Sequence, residues 1–135
     1  VANNYTQFSF AVGNLTPEES SWLTVMHRLL EEDDDNIYAF AMSIEPPEVV
    51  FYAAESGDVE KVANFVRAFL LQFRPLDAVG FEWATWCDKP RPDEFGGGAV
   101  LVTATRIEYT GTNEELLRMQ ATHAGIETNG RQKHG

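Results

Sequence analysis

Residues 5–12 alternate, with Phe8, Phe10 and Val12 on one parity and Tyr5, Gln7 and Ser9 on the other, a pattern that predicts a strand. Thr16-Pro17-Glu18-Glu19 then supplies an N-cap hydroxyl, a proline for the first helical position and a glutamate three residues beyond the cap, so a helix is predicted to start there. Trp22, Leu23, Met26, Leu29 and Leu30 recur at three- and four-residue spacing and make one apolar stripe, which ends at the acidic run from Glu31 to Asp35. Those acids are unfavourable at the negative end of a helix, so the run is read as a solvated exit loop.

Residues 37–44 and 48–54 read as two strands joined by Glu45-Pro46-Pro47, a hairpin with a stiff turn. Ser56-Gly57-Asp58 opens a second helix, whose Val59, Val62, Val66, Phe69, Leu70 and Phe73 form a wide apolar face before Arg74-Pro75 stops it. Residues 79–87 and 99–109 are the last predicted strands, joined by a long connection over 88–98. Thr112-Asn113-Glu114-Glu115 repeats the capping-box signature before Leu116, Leu117 and Met119, and Gly125 is placed to end that helix in left-handed geometry.

The order β-α-β-β-α-β-β-α implies an α+β fold with a ferredoxin-like β-α-β-β-α-β core, an added fifth strand and a C-terminal helix. The expected antiparallel sheet has strand order 5-4-1-3-2, with two helices on one face. Residues 1–125 form one domain in this reading, and 126–135 are expected to be a disordered tail. Residues 37–42 and 49–54 are apolar on both parities, and strand four carries Phe81, Trp83 and Cys87 on one side and Ala84 and Trp86 on the other. A five-stranded sheet is about 24 Å wide, more than one short helix ~10 Å thick can roof, so a second copy is expected on the uncovered face. Tyr38, Phe51, Tyr52 and Trp83 are the candidate interface residues of such a homodimer.

Composition narrows the classes. The chain has 135 residues with 21 Asp+Glu against 10 Lys+Arg, a formal net charge of -11, which disfavours direct binding of nucleic acid or anionic lipid. The single cysteine excludes an internal disulfide framework and fits a reducing compartment, so a cytoplasmic location is expected. No apolar run reaches the ~20 residues a membrane span needs, residues 1–6 lack a secretion-signal pattern, and the start at Val1 is taken as processed or engineered.

Candidate chemistry is sparse. Cys87 stands beside Asp88, Lys89 and Arg91, where cations could lower a thiol pKa, but His27, His123 and His134 have no spacing that brings them to it, so a packed thiol is the favoured reading. Trp83, Trp86, Cys87, Asp88, Lys89 and Arg91, with Asp93 and Glu94, could instead line a small-ligand pocket with an aromatic floor. Gly96-Gly97-Gly98 is followed by a strand rather than a helix, so a turn or bulge is favoured over an anion cradle. The acidic run lacks the glycine and spaced glutamate of a calcium loop, and there are no Walker, Rossmann, G-x-S-x-G or zinc patterns. No cofactor, metal or catalytic residue is assigned.

Glu55-Ser56-Gly57-Asp58, Phe73-Arg74-Pro75, residues 80–84, Lys89-Pro90-Arg91 and residues 93–100 together resemble uncharacterised small bacterial proteins carried in mobile genetic regions. That resemblance implies an origin and a host-interaction or defence-related accessory role, with an unknown host protein as partner. Three functions follow from the sequence: a non-enzymatic acidic module that homodimerises through an apolar sheet face, a small-molecule binder or enzyme near Trp86, Cys87 and the 88–98 loop, and an acidic mimic of nucleic acid.

Overall fold

A computed structural model of the chain describes residues 3–33, 39–92 and 94–125. The first strand, β1, is Asn4–Val12, and helix α1 follows over Pro17–Glu31. Its start is the expected capping box: the Glu19 backbone N–H donates to Thr16 Oγ1 at 3.1 Å, and the Thr16 N–H donates to Glu19 Oε1 at 2.8 Å. Strands β2, Ala41–Glu45, and β3, Glu48–Ala53, form the hairpin around the two prolines. Helix α2, Val59–Phe73, is capped by Asp58, whose carboxylate accepts from the Lys61 N–H at 3.0 Å. Strands β4, Ala78–Cys87, β5, Gly96–Thr103, and β6, Ile107–Gly111, lead into helix α3, Thr112–His123.

All strands join one antiparallel sheet in the order β2-β3-β1-β4-β5-β6. The architecture is α+β, with six strands among the described residues rather than the five expected. Residues 99–109 do not run through as one strand, because the Thr103 hydroxyl accepts from the backbone N–H groups of Thr105 and Arg106 and folds the chain back. The second strand starts at Ala41 rather than at 37: Ala39 and Phe40 lie outside it, and Ile37 and Tyr38 lie outside the described residues. Helix α3 begins one residue earlier than its sequence signature, with Gly111 at the N-cap and no side-chain cap. Gly125 adopts φ +76° and ends α3 as expected. The acidic run leaves α1 at Glu32, and its remainder from Asp34, like the tail 126–135, lies outside the described residues.

One face of the sheet carries the core. Phe8, Val12, Phe51, Phe81, Val100 and Val102 point from the strands toward Leu23 of α1 and Val62, Val66, Phe69 and Leu70 of α2, all of them buried. Phe10 stacks between Phe81, at 4.2 Å between centroids, and Phe51, at 5.1 Å, so one aromatic ladder crosses β3, β1 and β4. Trp22 of α1 meets the Phe65, Phe69 and Phe73 rings of α2 and joins the two helices.

An ion pair between buried Glu19 and half-buried Arg74 fixes the helix layer. Arg74, the C-cap of α2, donates through Nε and Nη2 to both Glu19 oxygens at 2.9 and 3.0 Å. Its Nη2 also reaches the Gly13 and Asn14 carbonyls, and its guanidinium lies 5.4 Å from the centre of the Phe69 ring. The Arg74 bonds hold the Glu19 carboxyl below the usual glutamate range, overriding the opposing effect of burial. One glutamate therefore caps α1 and ties it to the end of α2.

Candidate functional site

Strand alternation sends the other parity to a second face. Phe8 and Phe10 face the helices, so Gln7, Ser9 and Ala11 face away; Val49 and Phe51 are buried, so Val50 and Tyr52 face away. On β4 the outward set is Gly80, Glu82, Ala84 and Trp86, and on β5 and β6 it is Ala99, Leu101, Glu108 and Thr110. Small side chains thus surround Gln7 and Glu82 in the middle of this face, with Tyr52 and Leu101, each 41% exposed, standing on either side.

No described helix roofs it. The main contacts of α1 and α2 are made with the packed face, and α3 meets chiefly β5 and β6 at one edge without burying any residue. Leu116, Leu117 and Met119 of α3 are 51, 59 and 57% exposed. Open grooves mark the face among the described residues. One of about 690 Å3 runs between Tyr52, Ser9 and Ala84, and one of about 800 Å3 runs between Ser9, Gly80, Leu101 and Glu108. A third, of about 580 Å3, lies where Leu116 and Met119 of α3 approach Gly97 and Ala99. Glu82 lines all three.

The floor is held rigid at one end. The Tyr5 and Trp86 rings stack at 4.3 Å, Trp86 Nε1 donates to Gln7 Oε1 at 3.0 Å, and Gln7 Nε2 donates to the Ala54 carbonyl at 2.7 Å. This chain of contacts crosses β4 and β1 to the end of β3, so the aromatic surface is preorganised.

Charge on the face has one sign. Glu45 and Glu48 sit directly opposite each other in the β2–β3 hairpin, on the parity away from the core. Like charges placed so are unfavourable for the sheet itself. Glu108 is paired with Arg106 at 3.4 Å, whereas no described group bonds to the carboxylates of Glu82, Glu45 or Glu48. The six strands contain no Lys, Arg or His.

The expected ligand pocket does not form as one site. Trp83 and Cys87 turn toward the helix layer, Cys87 being only 3% exposed, while Trp86 lies on the opposite face. Asp88 accepts from the Asn3 backbone and side-chain nitrogens at 3.0 and 3.2 Å, which ties the end of β4 to the start of β1. Lys89 and Arg91 are exposed on the connection, and Asp93 lies outside the described residues. Two of the interface candidates also change sides: Phe51, 1% exposed, and Trp83 face the helices, because Phe51 pairs across the sheet with Phe10 and Trp83 with Phe8. Tyr52 is on the open face, and Tyr38 lies outside the described residues.

The glycine run is strand rather than turn. Gly97 and Gly98 lie within β5, where a Cβ on Gly97 would meet the Trp83 carbonyl and one on Gly98 the Thr110 carbonyl, so the bare backbone permits close approach on both sides. His27 lies 3.9 Å from Glu31 on α1, and His123 ends α3, so neither approaches Cys87. Among the described residues no group of three or more His, Cys, Asp or Glu side chains is placed to hold a metal ion, and no helix is long and apolar enough to cross a membrane.

Sequence reasoning missed Glu82 and Gln7. The signal for both was present, because each sits on the parity opposite a run of bulky residues, Phe8 and Phe10 for Gln7 and Phe81 and Trp83 for Glu82. No family model, curated protein or solved structure matches the chain.

Proposed function

We propose that the protein is a non-enzymatic interaction module whose working surface is the open face of its sheet. The observation that carries this reading is the open stretch from Tyr52 through Ser9 and Ala84 to Leu101, rich in small and apolar side chains and bordered by α3 only on the β5–β6 side. Exposed apolar surface of this kind marks a docking site more often than a solvated wall. The order of the first four strands, with both crossover helices on one side, supports a ferredoxin-like core to which β5, β6 and α3 are added. A host-facing accessory role, as the likeness to mobile-region proteins implies, suits a module of this type.

Substitutions on a free docking face leave the isolated fold intact. Tyr52→Ser and Leu101→Ser are expected to change unfolding free energy by less than about 1 kcal/mol in urea titrations, since neither residue packs on the core. Losses above about 2 kcal/mol from both would show that the chain covers this face itself, and the reading fails.

Self-association is a second reading, favoured by the exposed Leu116, Leu117 and Met119 of α3. One chain then carries both an apolar face and an apolar helix flank, which two copies could exchange about a two-fold axis. Sedimentation velocity across a wide concentration range tests it. A dimer mass lost in both Leu117→Lys and Tyr52→Lys supports exchange of these two surfaces; a single-copy mass throughout removes it.

A further inference from the structure

We infer that the occupant of the open face is an extended, lysine- or arginine-bearing segment of another protein, laid across the apolar floor with one cationic side chain against Glu82. This rests on the docking reading and adds the chemistry of the partner.

Charge complementarity selects it. Glu82 projects from β4, a central strand, lines three grooves of the face and is bonded by no described group. An uncharged apolar partner would strip water from that carboxylate and return nothing, a cost that rules out purely apolar docking. A phosphate-bearing partner would meet glutamates on strands that hold no cation. A second copy laid face to face would oppose Glu82, Glu45 and Glu48 with the same three carboxylates, and like-charge juxtaposition is among the strongest forms of rejection at an interface. A cation-bearing segment satisfies the apolar floor and the carboxylate together. Tyr52 adds an aromatic ring about 10 Å from Glu82, two strand spacings away, within reach of a neighbouring cation or apolar side chain on the same segment. The opposed Glu45 and Glu48 at the hairpin end, unfavourable in the isolated sheet, gain a partner when a basic segment reaches that corner.

The test is fluorescence anisotropy of a labelled peptide alternating arginine and leucine, titrated with the 135-residue chain, beside the same peptide with glutamate in place of arginine. Saturable binding of the arginine peptide alone is expected, weakened about tenfold or more by Glu82→Gln, with a shallower salt dependence. Glu18→Gln removes the same charge from α1 in the helix layer and is expected to leave affinity unchanged. Circular dichroism melting of Glu82→Gln should match the parent, so a loss of binding is not a loss of fold. Equal weakening by Glu18→Gln would reduce the effect to net charge and overturn the proposal. Tighter peptide binding by the variant carrying Arg131→Gln and Lys133→Gln would identify the chain's own terminal segment as the resident occupant, which also overturns it. Absence of peptide binding, together with a dimer that Tyr52→Lys dissolves, rejects the cationic partner but leaves the docking face standing. Absence of both, with Tyr52→Ser and Leu101→Ser unfolding the chain, rejects the two readings together.

Discussion

Replacing Glu19 by glutamine removes one charge at the point where α1, α2 and the loop after β1 meet, while keeping the side chain's size. In the parent, Arg74 makes two charge-assisted bonds to Glu19 at 2.9 and 3.0 Å. Glutamine offers one acceptor oxygen where glutamate offers two, because its amide nitrogen only donates, so at least one of the charge-assisted bonds is lost, about 1.5–3 kcal/mol. Stranding a buried charge completely costs about 3–5 kcal/mol, but Arg74 keeps the Gly13 and Asn14 carbonyls and the Phe69 ring, so the full penalty is not reached. The expected loss is about 2 kcal/mol at pH 7, measured as a shift in urea midpoint with unchanged slope.

The pH dependence follows from the lowered native pKa of Glu19. Its contribution is fully present above the ordinary glutamate value of 4.5 and is lost as pH falls through the lower native value, because the unfolded chain takes up the proton first. Glutamine does not titrate, so the stability gap between parent and variant should stay constant near neutrality and shrink in acid. A gap under about 0.5 kcal/mol at pH 7, or an equal gap at pH 7 and pH 3, would refute the assignment of Glu19 and Arg74 as the clamp of the helix layer.

Gly98→Ala should destabilise by about 2 kcal/mol or more, since its methyl group would be driven into the Thr110 carbonyl, and hydrogen exchange should locate the damage in β6 and α3. Cys87 should label with thiol reagents only as fast as the chain opens, with rapid labelling in urea; fast labelling of the native chain would contradict its burial. Leu23→Ala, truncating a fully buried side chain of α1, should cost about 2–5 kcal/mol by equilibrium unfolding, whereas Leu29→Ala, at 53% exposure on the same helix, should cost under about 1 kcal/mol.

Local chemistry made much of this fold legible in advance. Thr16, Pro17 and Glu19 announced the start of α1, and the valines and phenylalanines from Val59 to Phe73 announced α2 with its packed flank, because each signal lies within a few residues of its effect. The break between β5 and β6 escaped notice since it depends on one hydroxyl, that of Thr103, choosing backbone donors over solvent. The capping box expected at Thr112 is not used, as β6 runs directly into α3 and leaves Gly111 at the cap.

The two faces of the sheet are less distinct in the sequence. Strand β4 carries a tryptophan on each parity, so size alone did not say whether Trp83 or Trp86 packs on the helices. Cross-strand partners decide it: Trp83 pairs with Phe8 and Trp86 with Tyr5, and the Phe8 side is the one the helices cover. The excess of apolar strand surface was visible in the sequence, whereas the unmatched carboxylate at its centre depended on this register.

Packing the large buried side chains of the described strands on one side of the sheet divides labour within the chain. The positions around Ser9, Gly80 and Ala84 carry little of the folding free energy, so their chemistry is open to revision while the architecture persists. Such a plate can be re-inscribed by point changes during evolution or in the laboratory without passing through an unfolded ancestor.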